Sequence, residues 1–355
     1  MPAYDAFLLL SFGGPEGPDD VLPFLDNVTR GRGVPRERLA GVAEHYYARG
    51  GVSPISAQCR DMLAAIGGAF ADAAIELPLY WGNRNWHPFI EDTVRQLADA
   101  GAERVIAFVT SAYSSFSACR QYLDDIERAV AAVGPRAPRI DKIRPYFNHP
   151  GFIEPFAAST EAALATLPAG VRDGARLVFT AHSVPVGMAA VSGSAAAGTA
   201  LPAVAGGRYA AELAEASSLI TERIRGACLG HDLVYQSRSG PPGQPWLEPD
   251  LCEHVRTLAK RGVPAVVAVP VGFVSDHMEV VHDLDVEAAE AAASLGVPFA
   301  RAAAPGPSPR FARMVAELVA ERLSGAAPLA LGTMGPAPWP CPADCCRYTR
   351  PARPA

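Results

Sequence analysis

Apolar positions along the chain alternate between two rhythms. Short, uniformly apolar runs recur at 6–11, 77–82, 105–110, 139–143, 177–181, 233–236, 265–271 and 298–300. Between them lie amphipathic stretches at 88–100, 116–133, 152–167, 209–225, 249–261, 280–295 and 309–323. In the first of these, Phe89, Ile90, Val94 and Leu97 form one stripe at helical spacing. Strands apolar on both faces, alternating with amphipathic helices, predict parallel sheets covered on both sides. The pattern divides near residue 170, with about four strands and four helices on each side. The expected fold is therefore α/β: two similar Rossmann-like, doubly wound halves, each on a parallel four-stranded sheet, with a cleft between them. The expected divisions are an N-terminal half over 1–168, a C-terminal half over 169–325, and a proline-rich tail over 326–355. The tail has no periodicity and is expected on the surface. Residues 188–207 are rich in Gly, Ala and Ser and read as an inserted mobile loop.

Open parallel sheets bind ligands outside the carboxyl ends of their strands. No GxGxxG follows any expected strand, so a dinucleotide site has no support. The run Val178-Phe179-Thr180-Ala181-His182-Ser183 places His182 just past a buried strand. The bland reading is a histidine satisfied at a strand end. The functional one is a neutral imidazole able to ligate Fe(II) or accept a proton. A second strand end runs from Val269 to Glu279 into a helix, with Ser275 or Asp276 as the expected N-cap. Glu279, Asp283 and Glu287 follow at i, i+4 and i+8. In an α-helix they drift about 40° per step and rise about 6 Å, so they share one face. A solvated acidic face is the plain alternative. Like charges at this spacing repel in an ordinary helix, and the row makes better sense if cations or protons pass along it. Carboxylates suit a hydrated divalent ion in transit, and crowding raises their pKa values, which suits proton relay.

Composition removes several function classes. Apolar residues make up 49% of the 355, enough for a large core, and charged residues 19%. The net charge is −6 with no basic run, so nucleic acid is not an expected partner. The apolar run at 6–10 is short and preceded by Asp5, unlike a signal peptide. The longest apolar stretch, 263–274, is broken by two prolines and a glycine and falls short of the ~20 residues of a spanning helix. A cytoplasmic protein without a transmembrane segment is expected. The seven cysteines are odd in number, which argues against a disulfide framework. Three of them, Cys341, Cys345 and Cys346, crowd into the tail, a spacing suited to iron–sulfur or zinc ligation.

The two strand-end motifs, FTAHSVP and VPVGFVSDHMEVVHDLD, resemble the signatures of the ferrochelatase family. LLLSFGGPEGPDDV, RGRGVP, YYARGGVSPIS, YWGNRNWHPFIED, TSAYSSFSACRQY and YQSRSGPPGQPWLEPD match further family landmarks in order, over roughly residues 4 to 325. The tail and the TSAYSSFS segment resemble actinobacterial members, which implies coproporphyrin III and Fe(2+) as substrates and coproheme as product. The resemblance implies His182 and Glu279 as the catalytic iron-site pair, with Asp283 and Glu287 as the metal-ligating row that leads from it. It implies Ser53 and Tyr122 as porphyrin contacts, and places Arg30, His45 and Tyr46 at or beside the propionate region. Trp86, Tyr113 and Phe12 become cleft walls. Phe12 departs from relatives whose tyrosine there can ligate product iron; a phenylalanine ring can only pack against the macrocycle.

Some relatives hold a [2Fe–2S] cluster on C-terminal cysteines plus one from the body. The resemblance implies such a cluster on Cys341, Cys345 and Cys346. The segment 150–165, which supplies the fourth ligand elsewhere, has no cysteine here. Cys119 is the first substitute, with Cys59, Cys228 and Cys252 behind it. A monomer is expected, in transient contact with other heme-pathway enzymes. Competing readings are a protoporphyrin IX chelatase, a cobalt or nickel chelatase for a related tetrapyrrole, and a noncatalytic heme-binding or iron–sulfur sensor protein. A passive binder has no need of the acidic row.

Overall fold

The computed structural model describes residues 4–31, 33–193, 206–224, 229–240, 243–342 and 344–349. Cys228 and most of the expected loop at 188–207 lie outside the described residues. The first sheet contains β1 (Ala6–Ser11), β2 (Leu79–Asn83), β3 (Arg104–Val109) and β4 (Arg139–Lys142) in the order β2-β1-β3-β4, all parallel. The second contains β5 (Arg176–His182), β6 (His231–Gln236), β7 (Val266–Val269) and β8 (Phe299–Arg301) in the order β6-β5-β7-β8, again parallel. The two orders correspond strand for strand. Leu8, Leu9 and Leu10 on β1 and Val266 to Val269 on β7 are fully buried, as strands with helices on both faces require.

Strand ends fall within a few residues of the sequence expectation. β7 is the instructive exception: it stops at Val269 instead of 271, because Pro270 has no N–H to give the ladder. The first half also holds three helices outside the expected amphipathic stretches, Val21–Thr29, Arg36–Tyr47 and Ile55–Asp72. Arg36–Tyr47 buries only Leu39, Ala43 and Tyr46, whereas Ile55–Asp72 buries Ile55, Cys59, Met62, Ile66 and Phe70 at helical spacing, a stripe missing from the sequence expectation.

The halves exchange helices. Pro150–Thr166 follows β4 in the chain but packs on β7 and β8 of the second sheet. Pro309–Leu323 follows β8 and packs on Ile55–Asp72 and Pro150–Thr166. One core cluster therefore runs through both sheets, from Leu9 and Phe108 to Phe179 and Val267. The described tail residues form no helix or strand and are held by side chains of the body. Asn148 binds Leu331 in both directions at 2.9 and 3.1 Å and donates to the Gly335 carbonyl at 2.8 Å. Glu215 accepts from the amides of Thr333 and Met334, and Trp339 donates to the Lys142 carbonyl under the Arg322 guanidinium. Among the described residues no helix is long and apolar enough to cross a membrane.

Candidate active site

His182 is the last residue of β5 and pairs with Gln236. Its Nδ1 lies at hydrogen-bond distance from the Ser183 carbonyl, which makes Nδ1 the donor and leaves Nε2 as the ring nitrogen turned to the site. That Nε2 faces Oε2 of Glu279 at 3.7 Å, and both side chains are partly open to solvent. The second strand end reaches this position because Gly272 lies flat against Ala181. A Cβ on Gly272 would come within 2.5 Å of the Ala181 Cβ. The turn then runs through Phe273 to the helix Met278–His282, which carries Glu279. His277, not Ser275 or Asp276, occupies the N-cap position, and no side chain caps that helix. The Asp276 carboxylate is engaged by Arg301 at 3.0 Å instead, while its amide donates to Gln58 of the first half.

The acidic row lies only partly on an α-helix. Asp283–Ala288 is a π-helical segment, so the α-helical spacing expected from sequence is replaced by a wider turn. Each carboxylate meets a different neighbourhood. Glu279 faces His182. Asp283 accepts from Gln236 Nε2 at 3.0 Å and from the Ser237 hydroxyl. Burial pushes the Asp283 carboxyl up to about 7, aided by Glu279 and Glu287 and only partly offset by those hydrogen bonds. Glu287 lies 3.4 Å from Nε2 of His282, whose ring stacks on His45 at 3.6 Å between centroids. Burial, then the neighbouring His282, lowers the His45 pKa. Beyond Glu287 the surface opens into a depression lined also by Cys252, Arg256 and Glu290.

The facing wall comes from the first half and is aromatic. Phe12 meets Phe24 edge-on at 6.3 Å, and Phe24 in turn meets Tyr46 and Trp86. Gly13 turns the chain at φ 82° with no room for a side chain beside Asn83. Ser53 is buried behind this loop, its amide on the Pro15 carbonyl. Tyr46 is buried, and burial, with Glu279 nearby, pushes its hydroxyl pKa up. Tyr122 is buried with its ring 4.7 Å from the Arg84 guanidinium; the same guanidinium lies 5.9 Å from Phe12 and pairs with Asp125. Arg30 is exposed and donates to Asn27. Tyr113 is buried, its hydroxyl on the Val271 carbonyl at 2.8 Å.

His277 was not singled out in the sequence reading. Its ring lies between Phe12 and Phe273, at 6.5 and 5.1 Å, and burial lowers its pKa. The only sequence signal is its place two residues before Glu279, because its ring neighbours come from separate segments.

Cys119, Cys341, Cys345 and Cys346 meet in a chain of thiol contacts. Cys341 contacts both Cys119 and Cys345, and Cys345 lies 3.7 Å from Cys346. The hydrogen bond from Cys341, then burial, pushes the Cys119 thiol well up. Cys345 is pushed up to about 12: the contact with Cys341 lowers it, but Cys346 and burial outweigh that. The Cys346 sulfur accepts from the Gly193 amide at 3.1 Å. Cys59 is buried apart beside Ser11, and Cys252 lies at the outer depression. Among the described residues no three His, Cys, Asp or Glu side chains form a ready single-ion site.

Comparison with known proteins bears on this arrangement. The ferrochelatase family pattern matches residues 4–323. The chain is 55% identical to the coproporphyrin III ferrochelatase of Nocardia farcinica over 99% of each chain. It is 50% identical to the coproporphyrin III ferrochelatase of Streptomyces griseus over 98% of this chain and 95% of that one. Among solved structures, SirB from Bacillus subtilis with Fe3+ shares the fold at a TM-score of 0.52 and 13% identity, covering 91% of this chain and 97% of that one. With two parallel sheets of equivalent strand order, and a family match spanning nearly the whole chain, this protein belongs to the ferrochelatase family.

Proposed function

We propose that the chain inserts Fe(2+) into coproporphyrin III, giving coproheme and two protons, with His182 and Glu279 at the point of insertion. The observation that carries this reading is the meeting of an imidazole nitrogen and a carboxylate, 3.7 Å apart, beside an aromatic cluster of the first half. Iron insertion removes two pyrrole protons as the metal arrives, so the site needs proton acceptors and metal ligands together. Nε2 of His182 can take a proton or bind iron, and Glu279 can do either. Asp283, poised at about 7, holds or passes a proton at neutral pH. Phe12 and Trp86 offer flat apolar area to the macrocycle. Arg30, His45 and Tyr46 line the side where its carboxylates sit, and Ser53 and Tyr122 support the wall behind. The reading assigns the porphyrin grip to residues 1–168, the metal chemistry to 169–325, and a cysteine-bearing tie to 326–355. Coproporphyrin, rather than protoporphyrin, is chosen on the named activity of the Nocardia and Streptomyces relatives. Operation in the cytoplasm as a monomer, in passing contact with other heme-pathway enzymes, follows from the family resemblance.

We further propose that Cys119, Cys341, Cys345 and Cys346 hold a [2Fe–2S] cluster. Four contiguous sulfurs fit this group: the thiols of Cys119, Cys341 and Cys345 are pushed up by neighbouring thiols and by burial, and bound cations relieve the crowding that disfavours thiolates there. When bound, the cluster supplies a covalent link between the tail and the body.

Anaerobic incubation of the protein with Fe(II) and coproporphyrin III, followed by absorbance, tests the activity. Fast conversion of coproporphyrin III and slow conversion of protoporphyrin IX are expected. No turnover with either porphyrin or with Co(II) would overturn the enzymatic reading in favour of a binder. A brown protein as purified, with visible charge-transfer bands lost in Cys341→Ala, is expected for the cluster; a colourless protein from iron-replete anaerobic purification sinks it.

A further inference from the structure

β5 outruns its neighbour. Its last rung with β7 is Phe179 opposite Val269, whereas on the β6 side pairing continues to His182 opposite Gln236. The carbonyls that point toward β7 beyond this rung need other donors, since buried backbone carbonyls are satisfied as a rule. Thr180 finds the Gly272 amide at 3.1 Å. Among the described residues His182 has no backbone donor; its carbonyl accepts from the Tyr209 hydroxyl at 3.0 Å. On the opposite side the same peptide group donates through Ser183 N–H to the Gln236 carbonyl at 2.8 Å. The plane that carries the imidazole is thus held at both edges, one edge by a side chain.

Tyr209 is itself well anchored. It is buried in the first turn of the helix Gly207–Thr221, and its amide donates to the Ser192 hydroxyl at 2.9 Å. Its ring meets that of Tyr113 edge-on, at 6.2 Å and 87°. Tyr113 comes from the first half, and its hydroxyl holds the Val271 carbonyl of the strand end that leads to Glu279. One turn beyond Tyr209, the fully buried Glu212 accepts from the amide and hydroxyl of Ser114 at 2.6 and 2.8 Å and from Arg208 at 2.7 Å. The loop that bears Tyr113 is therefore locked to the helix that bears Tyr209.

We infer that Tyr209 is a positioning residue for His182: with Tyr113 it forms a two-ring brace that fixes the separation of the strand ends carrying His182 and Glu279. The inference rests on the proposed reading of those two residues as the insertion site. Tyr209 touches neither substrate nor metal; it acts through a carbonyl.

Tyr209→Phe keeps the ring and removes only the donor. The expected result is a kcat for coproporphyrin III metallation about tenfold lower, with the porphyrin KM within about twofold, because the aromatic wall of the first half is untouched. Tyr4→Phe is the control. It too loses a buried tyrosine hydrogen bond, to Asp141 at 3.0 Å, but far from the site, and its kcat is expected to be unchanged. Full kcat in Tyr209→Phe, or an equal loss in Tyr4→Phe, overturns the inference. Should Tyr209→Phe fail to fold, Ser192→Ala decides, since it frees the backbone of Tyr209 and leaves the hydroxyl. A kcat loss of about threefold at constant KM is expected there, and full kcat overturns the inference. His182→Ala run in parallel separates the two levels: turnover in that variant removes the site assignment, whereas a dead His182→Ala beside a fully active Tyr209→Phe removes only the brace.

Discussion

The two halves share a strand order and divide their labour unequally. Ser11 occupies in β1, opposite Asn83, the rung that His182 occupies in β5, opposite Gln236. Past Ser11 the chain reads Phe12, Gly13, Gly14, Pro15, with no titratable group among them; at the end of β5 and past β7 it offers His182, Asp276, His277 and Glu279. On the proposed reading, one sheet end is a surface to lie on and the other a set of groups able to exchange protons. The frame of a repeated fold carries no chemistry of its own; the few residues beyond each strand decide it. The contrast also explains the electrostatics. Glu279, Asp283 and Glu287 gather in the second half, with burial and mutual repulsion holding the proton on Asp283, while the first half brings the rings of Phe12, Phe24 and Trp86.

Substitutions on each side break this division in different parameters. Glu279→Ala is expected to have the largest effect, more than about a hundredfold on kcat, with circular dichroism and Tm close to the parent because the side chain is half exposed. Near-normal turnover would place the chemistry elsewhere. Phe12→Ala comes next: the porphyrin KM rises about tenfold and kcat changes less, as lost ring packing affects binding before reaction. A variant that lost kcat at constant KM would give the aromatic side a chemical part.

Asp283→Asn is the gentlest, and its signature lies in pH. The folded carboxyl keeps its proton up to about 7, against 3.8 for the reference carboxyl. The stability it contributes is complete below pH 3.8 and is lost as pH rises toward 7. An amide has no such loss, so the Tm advantage of Asp283→Asn widens across that window and levels off above it. An advantage that stays constant with pH shows a carboxylate already ionised at the low end.

Much of the architecture was legible because buried parallel strands are short and uniformly apolar, and seven of the amphipathic stretches became helices. One helix of the first half escaped for a physical reason. Arg36–Tyr47 touches the core through three residues, and its remaining face is charged, so periodicity had little to detect. His182 and Glu279 were legible because they stand next to strands whose ends could be located. The environment of Asp283 was not, since its hydrogen-bond partners Gln236 and Ser237 lie far away in the chain and the turn it occupies is wider than an α-helix. Tyr209 was hidden for a similar reason: its role depends on β5 losing its β7 partner three residues before its β6 partner, a shortage that appears only when the strands are laid side by side.

The tail has a mechanical consequence. Asn148 belongs to the segment before the exchanged helix, Glu215 to the helix of Tyr209, and Lys142 to β4, and the last residues bind all three. Parting the halves would break these seams together, so the tail opposes widening between them, like the screw of a vise. A guest must then conform to the jaws instead of prising them open. On the proposed reading, a flat macrocycle that conforms is bent out of plane, and bending turns pyrrole lone pairs toward the incoming ion.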